Sequence, residues 1–197
     1  MLNFKTISKI FLVFLNGIST APEPKNRINY LIRSNIETNR KLWDLEDLAR
    51  MVELGSEHIA TIKQEINKNN QNRNDLIKKI DIEIVNQMEI VSSDSRKQFY
   101  SESPGMIIDR LAILFIKLSV IRKLLSVIKK DSLKKEYREK ENIILKQINL
   151  LGNFLDSYFN KLKHKEIFFE IQQSIKIYND TRIKKYIKLL QKSKNNL

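Results

Sequence analysis

Cysteine is absent from this 197-residue chain, and glycine, proline and histidine are scarce, at four, three and two residues. Without cysteine there is no disulfide framework, no thiolate nucleophile and no cysteine metal site. The two histidines, His58 and His164, have no paired-ligand spacing. So few glycines and prolines argue against a strand-and-turn architecture and for long helices. The sequence also lacks a phosphate-cradling glycine loop, an HExxH helix, the Glu-x-x-His pair of di-iron bundles and a serine elbow. No metal and no cofactor are therefore expected. No uncharged run reaches the roughly 18 residues of a transmembrane helix, so no membrane span is expected.

What is abundant is lysine. The formal net charge is +13. It is unevenly placed: residues 1–119 hold 17 basic and 15 acidic side chains, a net of +2, while residues 120–197 hold 19 and 8, a net of +11. Such asymmetry can mark a nucleic-acid or anionic-membrane surface. The simpler reading is compositional, because the chain is crowded with Ile, Lys and Asn and its lysines are not interleaved with aromatics. We expect no specific nucleic-acid binding, only weak, salt-sensitive retention on polyanions.

The stretch Ser101–Ile121 organises the rest. Ser103-Pro104 reads as a helix start, a hydroxyl cap followed by proline where its missing N–H costs nothing. Gly105 leaves room for close approach. Ile107, Ile108, Leu111, Leu114, Phe115, Leu118 and Ile121 then recur at helical steps, so this helix, over about 104–129, should be central. Before it, the pattern predicts helices over 4–15, 26–54 and 57–90, with Gly55 ending one and Ser56 capping the next. After it come helices over 132–163, capped by Asp131-Ser132 and bendable at Gly152, then 166–177, and a last one from Asp180 to about Leu190. The expectation is a single all-α bundle of six or seven helices, several long, spanning 25–190, with residues 1–24 an N-terminal helix and loop and 191–197 a frayed tail. Residues 4–21 loosely resemble a signal peptide, but the apolar run is short and broken at Asn16-Gly17, and a docked amphipathic helix is the better reading. A cytoplasmic protein is expected, and the oligomeric state is left open.

Polar residues interrupt the apolar faces in three places: Asn39, Glu46, Asp47 and Arg50; Asn70, Arg73, Asn74 and Asp75; and Asp109, Arg110 and Lys117. Between Ile66 and Ile77 the stripe of the 57–90 helix passes through Asn70 and Arg73, where a purely structural bundle would place leucine or isoleucine. A local break in an otherwise consistent pattern is where sites are expected; a buried Asn that fixes register is the alternative. Arginines held near carboxylates could grip an anionic small molecule bidentately. They could equally satisfy one another as a structural network, which residue types alone favour. Asp109, Arg110 and Lys117 could lie on a thin solvated stripe, the simpler reading of that segment, or point into a pocket. Each of Asn70, Arg73, Asp109 and Arg110 interrupts an apolar face and must find partners, so the four are expected to share one cluster; Arg73 and Arg110 on opposite solvent faces would remove the pocket reading.

Four blocks, LWDLED at 42–47, NRND at 72–75, SESPGMIIDRLAIL at 101–114 and KIYND at 176–180, resemble in the same order those of a bacterial family, domain of unknown function 4254. The resemblance spans roughly 35–185. It adds Trp43, Tyr178, Asn179 and Asp180 to the candidate site residues above. Three positions depart from the family pattern: Ile36 stands for a histidine, Ala112 for a serine, and the asparagine-proline after the last block is missing. The resemblance carries no established activity. It implies a companion of surface-polysaccharide and lipopolysaccharide glycosyltransferases. The expected function is therefore an accessory or ligand-binding protein of glycan biosynthesis, whose partners are an anionic small molecule or a glycan-biosynthesis enzyme. A small all-α enzyme with Glu46 or Asp109 as acid/base and Arg73 and Arg110 as anion clamps is the second class. A basic nucleic-acid or membrane-surface binder using 120–197 is the third.

Overall fold

The computed structural model describes residues 2–17, 26–51, 53, 55–89, 98–171, 181–183, 186 and 188. Among the described residues it is all-helical apart from one pair of two-residue strands. Five helices follow one another: α1 Phe4–Leu15, α2 Arg27–Leu48, α3 Ser56–Met88, α4 Pro104–Val127 and α5 Asp131–Lys163. β1 Gln98–Phe99 precedes α4, and β2 Ile167–Phe168 follows α5. The count is five helices among the described residues rather than six or seven.

Two of the expected helices account for the difference. The 166–177 segment begins as a strand, because Ile167, Phe168 and Phe169 alternate buried, half-buried and buried, a period of two that suits β pairing. β2 pairs in parallel with β1, Gln98 facing Ile167 and Phe99 facing Phe168. The Tyr100 amide extends the ladder to the Phe168 carbonyl at 2.9 Å. Of the expected last helix, only a 3-10 turn at Thr181–Ile183 and two further positions fall within the described residues.

Two caps also differ from expectation. α2 stops at Leu48, and Gly55, at φ +79°, occupies the N-cap of α3 while Ser56 is already helical. Only glycine takes that left-handed conformation without cost. Lys130, not Asp131, is the N-cap residue of α5.

α4 lies at the centre. Ile107, Ile108, Leu111 and Ala112 have no exposed surface, and Phe115, Ile116 and Leu118 continue the buried face. α1 docks on the core through Ile7 and Phe11, both fully buried, with Phe11 edge-on to Phe115 at 5.4 Å. Its first amide, on Phe4, donates to Asp156 of α5 at 2.7 Å. Gly152 lies within α5, which runs unbroken. It makes room for the Phe4 ring, which a Cβ there would meet at 2.5 Å.

The N-terminus of α4 is fixed by a carboxylate from α3. Ser103 caps the helix by accepting from the Met106 amide at 3.3 Å. Asp81, 2% exposed, accepts from the Gly105 amide at 2.7 Å and from the Ser103 hydroxyl. Gly105 permits this approach, since a Cβ would lie 2.7 Å from both Asp81 Oδ1 and the Ile77 carbonyl. The Tyr158 hydroxyl donates to the Glu102 carbonyl at 2.8 Å and ties α5 to the same turn.

Burial pushes the Asp81 carboxyl up from 3.8 to about 6, against the Ser103 and Gly105 hydrogen bonds that hold it down. The folded chain therefore keeps a proton that the unfolded chain releases between about pH 4 and 6. Stability should fall as pH rises through that window and level off above it. Asp81→Asn keeps an acceptor for Gly105 without the charge. The difference in unfolding free energy between wild type and Asp81→Asn should shift by about 3 kcal/mol across the window, at 1.36 kcal/mol per pH unit of displacement. Chemical denaturation at stepped pH measures it; a pH-independent difference would show that Asp81 titrates normally.

Candidate functional site

Two apolar clusters share α2 and α3 unequally. The main core takes Ile28, Leu31, Ile32 and Ile36 of α2 with Leu76, Ile80 and Ile84 of α3. A satellite cluster takes Leu42 and Leu45 with Ile62 and Ile66. Asn70 and Arg73 fall on α3 between Ile66 and Leu76, where the satellite cluster gives way to the main core. There a cleft of about 220 Å³ opens between α2, α3 and α4. Leu42, Trp43, Ile113 and Ile116 form its apolar walls, and Asn39, Glu46, Asp47, Arg50, Asn70 and Arg73 its polar lining.

Beneath the cleft lies a buried hydrogen-bonded group. Asp109 of α4, 8% exposed, accepts at Oδ1 from Asn35 Nδ2 and from Asn39 Nδ2, each at 2.8 Å. Asn39 also donates to the Asn35 carbonyl at 3.0 Å. Charged acceptors make strong hydrogen bonds, and this one locks α2 to α4. Asn72 adds a tie from α3 to α2, donating to Thr38 at 3.1 Å. Asn35 and Asp81 were not among the residues the sequence singled out. The signal for Asn35 was present, since Ile28, Ile32, Asn35, Asn39 and Leu42 recur at steps of four and three, and both asparagines interrupt that stripe.

Arg73 is different from its neighbours. Its Nε is buried and has no hydrogen-bond partner among the described residues. Buried polar groups are nearly always paired, and a stranded guanidinium donor is costly. Arg50 and Asp47, at the rim, are exposed and pair with each other at 3.2 Å, a contact worth little in solvent.

The sequence-derived candidates thus divide. Asn39, Trp43, Glu46, Asp47, Arg50, Asn70 and Arg73 line one cleft, with Asp109 bonded to Asn39 under it. Asn74 is half-buried and does not line the cleft; Asp75 is exposed and accepts from Gln71 at 2.8 Å. Arg110 does not join the cluster. Although next to Asp109 in sequence, it is exposed and pairs with Glu102. Lys117, two turns on, is exposed too. Adjacent residues on a helix point about 100° apart, and here Asp109 turns inward to Asn35 and Asn39 while Arg110 and Lys117 turn outward. Tyr178, Asn179 and Asp180 lie outside the described residues. Among the described residues no group of three His, Asp or Glu is placed to hold a metal, and no helix is long and apolar enough to cross a membrane.

Fold and cleft together define an all-α bundle protein with a small, half-polar cleft between three helices. Residues 29–171 match the family model described as a protein of unknown function (DUF4254), and the chain belongs to that family. The matched stretch contains every cleft-lining residue and the Asn35–Asn39–Asp109 group, and ends before the KIYND block. Neither the curated proteins nor the solved structures contain a significant match to the chain.

The two faces of α4 predict unequal costs. Arg110→Leu removes an exposed ion pair and should change stability by less than about 1 kcal/mol. Asp109→Ala strands two buried amides and should cost several kcal/mol, at about 1–3 kcal/mol per unsatisfied group. Parallel denaturant titrations test the ranking; an Arg110→Leu cost equal to that of Asp109→Ala would contradict it.

Proposed function

We propose that this chain is a ligand-binding protein whose cleft takes a compact anion, acting as an accessory to surface-polysaccharide or lipopolysaccharide biosynthesis. The observation that carries the reading is the buried, unpartnered Nε of Arg73 at the cleft. A carboxylate or phosphate oxygen is the natural partner for a guanidinium, because the planar fork can engage it bidentately. Trp43, Leu42, Ile113 and Ile116 offer an apolar wall for the body of such a molecule. Asn70 offers an amide to orient its polar groups, while Asn39, whose Nδ2 donates to Asp109 and Asn35, offers only its side-chain carbonyl. The volume lies below the 300–1,000 Å³ or so of drug-sized pockets, which favours a small metabolite over a nucleotide or a lipid-linked sugar. The glycan context rests on the family resemblance, not on the cleft.

Glu46, which lines the same cleft as Arg73, supports a second reading, an enzyme with an anion clamp and an acid/base group. Asp109 suits that role less well than the sequence implied, since its Oδ1 is occupied by two amides and the carboxylate holds α2 to α4.

Native mass spectrometry of gently purified protein should reveal a small anionic adduct. Arg73→Leu should weaken its binding about 10- to 100-fold, the worth of a charge-assisted hydrogen bond of about 1.5–3 kcal/mol. Wild-type protein with no adduct, and no melting shift with phosphate or small carboxylates, would remove the reading. Conversion of the bound molecule by wild type but not by Glu46→Gln would favour the enzyme.

A further inference from the structure

α5 carries two stripes and uses only one for the core. Its inward face, through Ile144, Ile148, Leu155, Tyr158, Phe159 and Leu162, is buried. Its outward face is not empty of apolar residues. Ile143, Leu150 and Phe154 are 57%, 62% and 44% exposed, and the Tyr100 ring stacks on Phe154 at 6.2 Å and holds it in place. Single exposed apolar side chains are ordinary. These are not scattered. With Glu136, Lys140, Gln147, Ser157 and Lys161 they recur at alternating steps of four and three, the seam spacing of a coiled coil.

We propose that this seam is an antiparallel interface between two copies of the chain, related by a two-fold axis between Gln147 and Leu150. The seam is its own complement in that register. Ile143 faces Phe154 of the second copy, Gln147 faces Leu150, Lys140 faces Ser157, and Glu136 faces Lys161. Each contact occurs twice, as an isologous interface requires. A parallel pairing would instead set Glu136 against Glu136 and Lys161 against Lys161, and like charges facing each other are repulsive. The present partners of the two end charges do not block the exchange. Glu136 is held by Lys140 of its own helix at 2.7 Å, on the exposed surface, and Lys161 gives one hydrogen bond to Tyr100 at 3.1 Å. An ammonium group has two further protons to donate. The cleft lies on α2, α3 and α4, so the pairing leaves it open, and the inference stands independently of the anion reading.

Sedimentation equilibrium of the full chain should show the mass rising from 23.3 kDa towards twice that value as concentration increases through about 10–100 μM, the affinity range of a short seam with three apolar residues. Leu150→Glu, at an exposed position that the core does not need, should remain monomeric throughout. A wild-type chain that stays at 23.3 kDa up to about 100 μM would overturn the proposal. Cysteine pairing tests the register, because the chain has no thiol of its own. Equal positions at the two seam ends lie about 38 Å apart across an antiparallel pair, at 1.5 Å rise per residue. Oxidising Glu136→Cys chains mixed with Lys161→Cys chains should yield a covalent dimer, while neither variant alone should. Crosslinking of either variant with itself, or a dimer that gives no mixed crosslink, would overturn the antiparallel register.

Discussion

A carboxylate taken out of water must find donors fixed in space, and two such carboxylates set the position of α4. Asp81 reaches from α3 to the first turn of α4, where the Gly105 amide and the Ser103 hydroxyl meet it. Asp109 reaches from α4 into α2, where the Asn35 and Asn39 amides meet it. Apolar burial drives these helices together, but burial has no direction. Hydrogen bonds to a charged acceptor do, and each of these is satisfied at one rotation and one height of α4. The β1–β2 pair and the Tyr158 bond to the Glu102 carbonyl then fasten the turn entering α4 to α5.

With α4 fixed, the cleft follows from what α3 lacks. Its apolar stripe serves the satellite cluster through Ile66 and the main core from Leu76 onward. Between them the stripe presents an amide and a guanidinium instead of two methyl-rich side chains. The space that leucine or isoleucine would fill stays open, floored by Ile113 and Ile116 and edged by Trp43. A chain selected for stability alone would fill it, since stranded polar groups and voids both cost free energy. On the proposed reading, a bound anion offsets the cost of retaining Arg73 there.

Much of this was legible in the sequence because helical periodicity is a strong signal over long elements. The starts of α1, α3, α4 and α5 fall within a residue of where the stripes and caps put them, and the break at Asn70 and Arg73 was visible as a break. Three things were not legible. Ile167-Phe168-Phe169 fits a helical step and a strand equally well over so short a run, and only its pairing with Gln98-Phe99, about 70 residues away, decides it. Arg110 and Asp109 both interrupt an apolar run, and spacing alone cannot say which of two neighbouring charges turns inward. Asp81 follows Ile80 on the edge of a good stripe, where nothing in the spacing marks it. Its importance comes from a close approach at Gly105 that is a property of the tertiary structure.

Arg73 serves either the fold or a ligand, and its effect on stability without ligand separates the two. Arg73→Met keeps the length and apolar stem of the side chain and removes the stranded donor and the charge. In extensively dialysed protein, guanidinium chloride unfolding should find Arg73→Met as stable as wild type or more stable by about 1 kcal/mol, because an unpaired buried donor has been removed. A loss of about 3–5 kcal/mol, the cost of breaking a buried charge pair, would contradict the account and make Arg73 a structural residue.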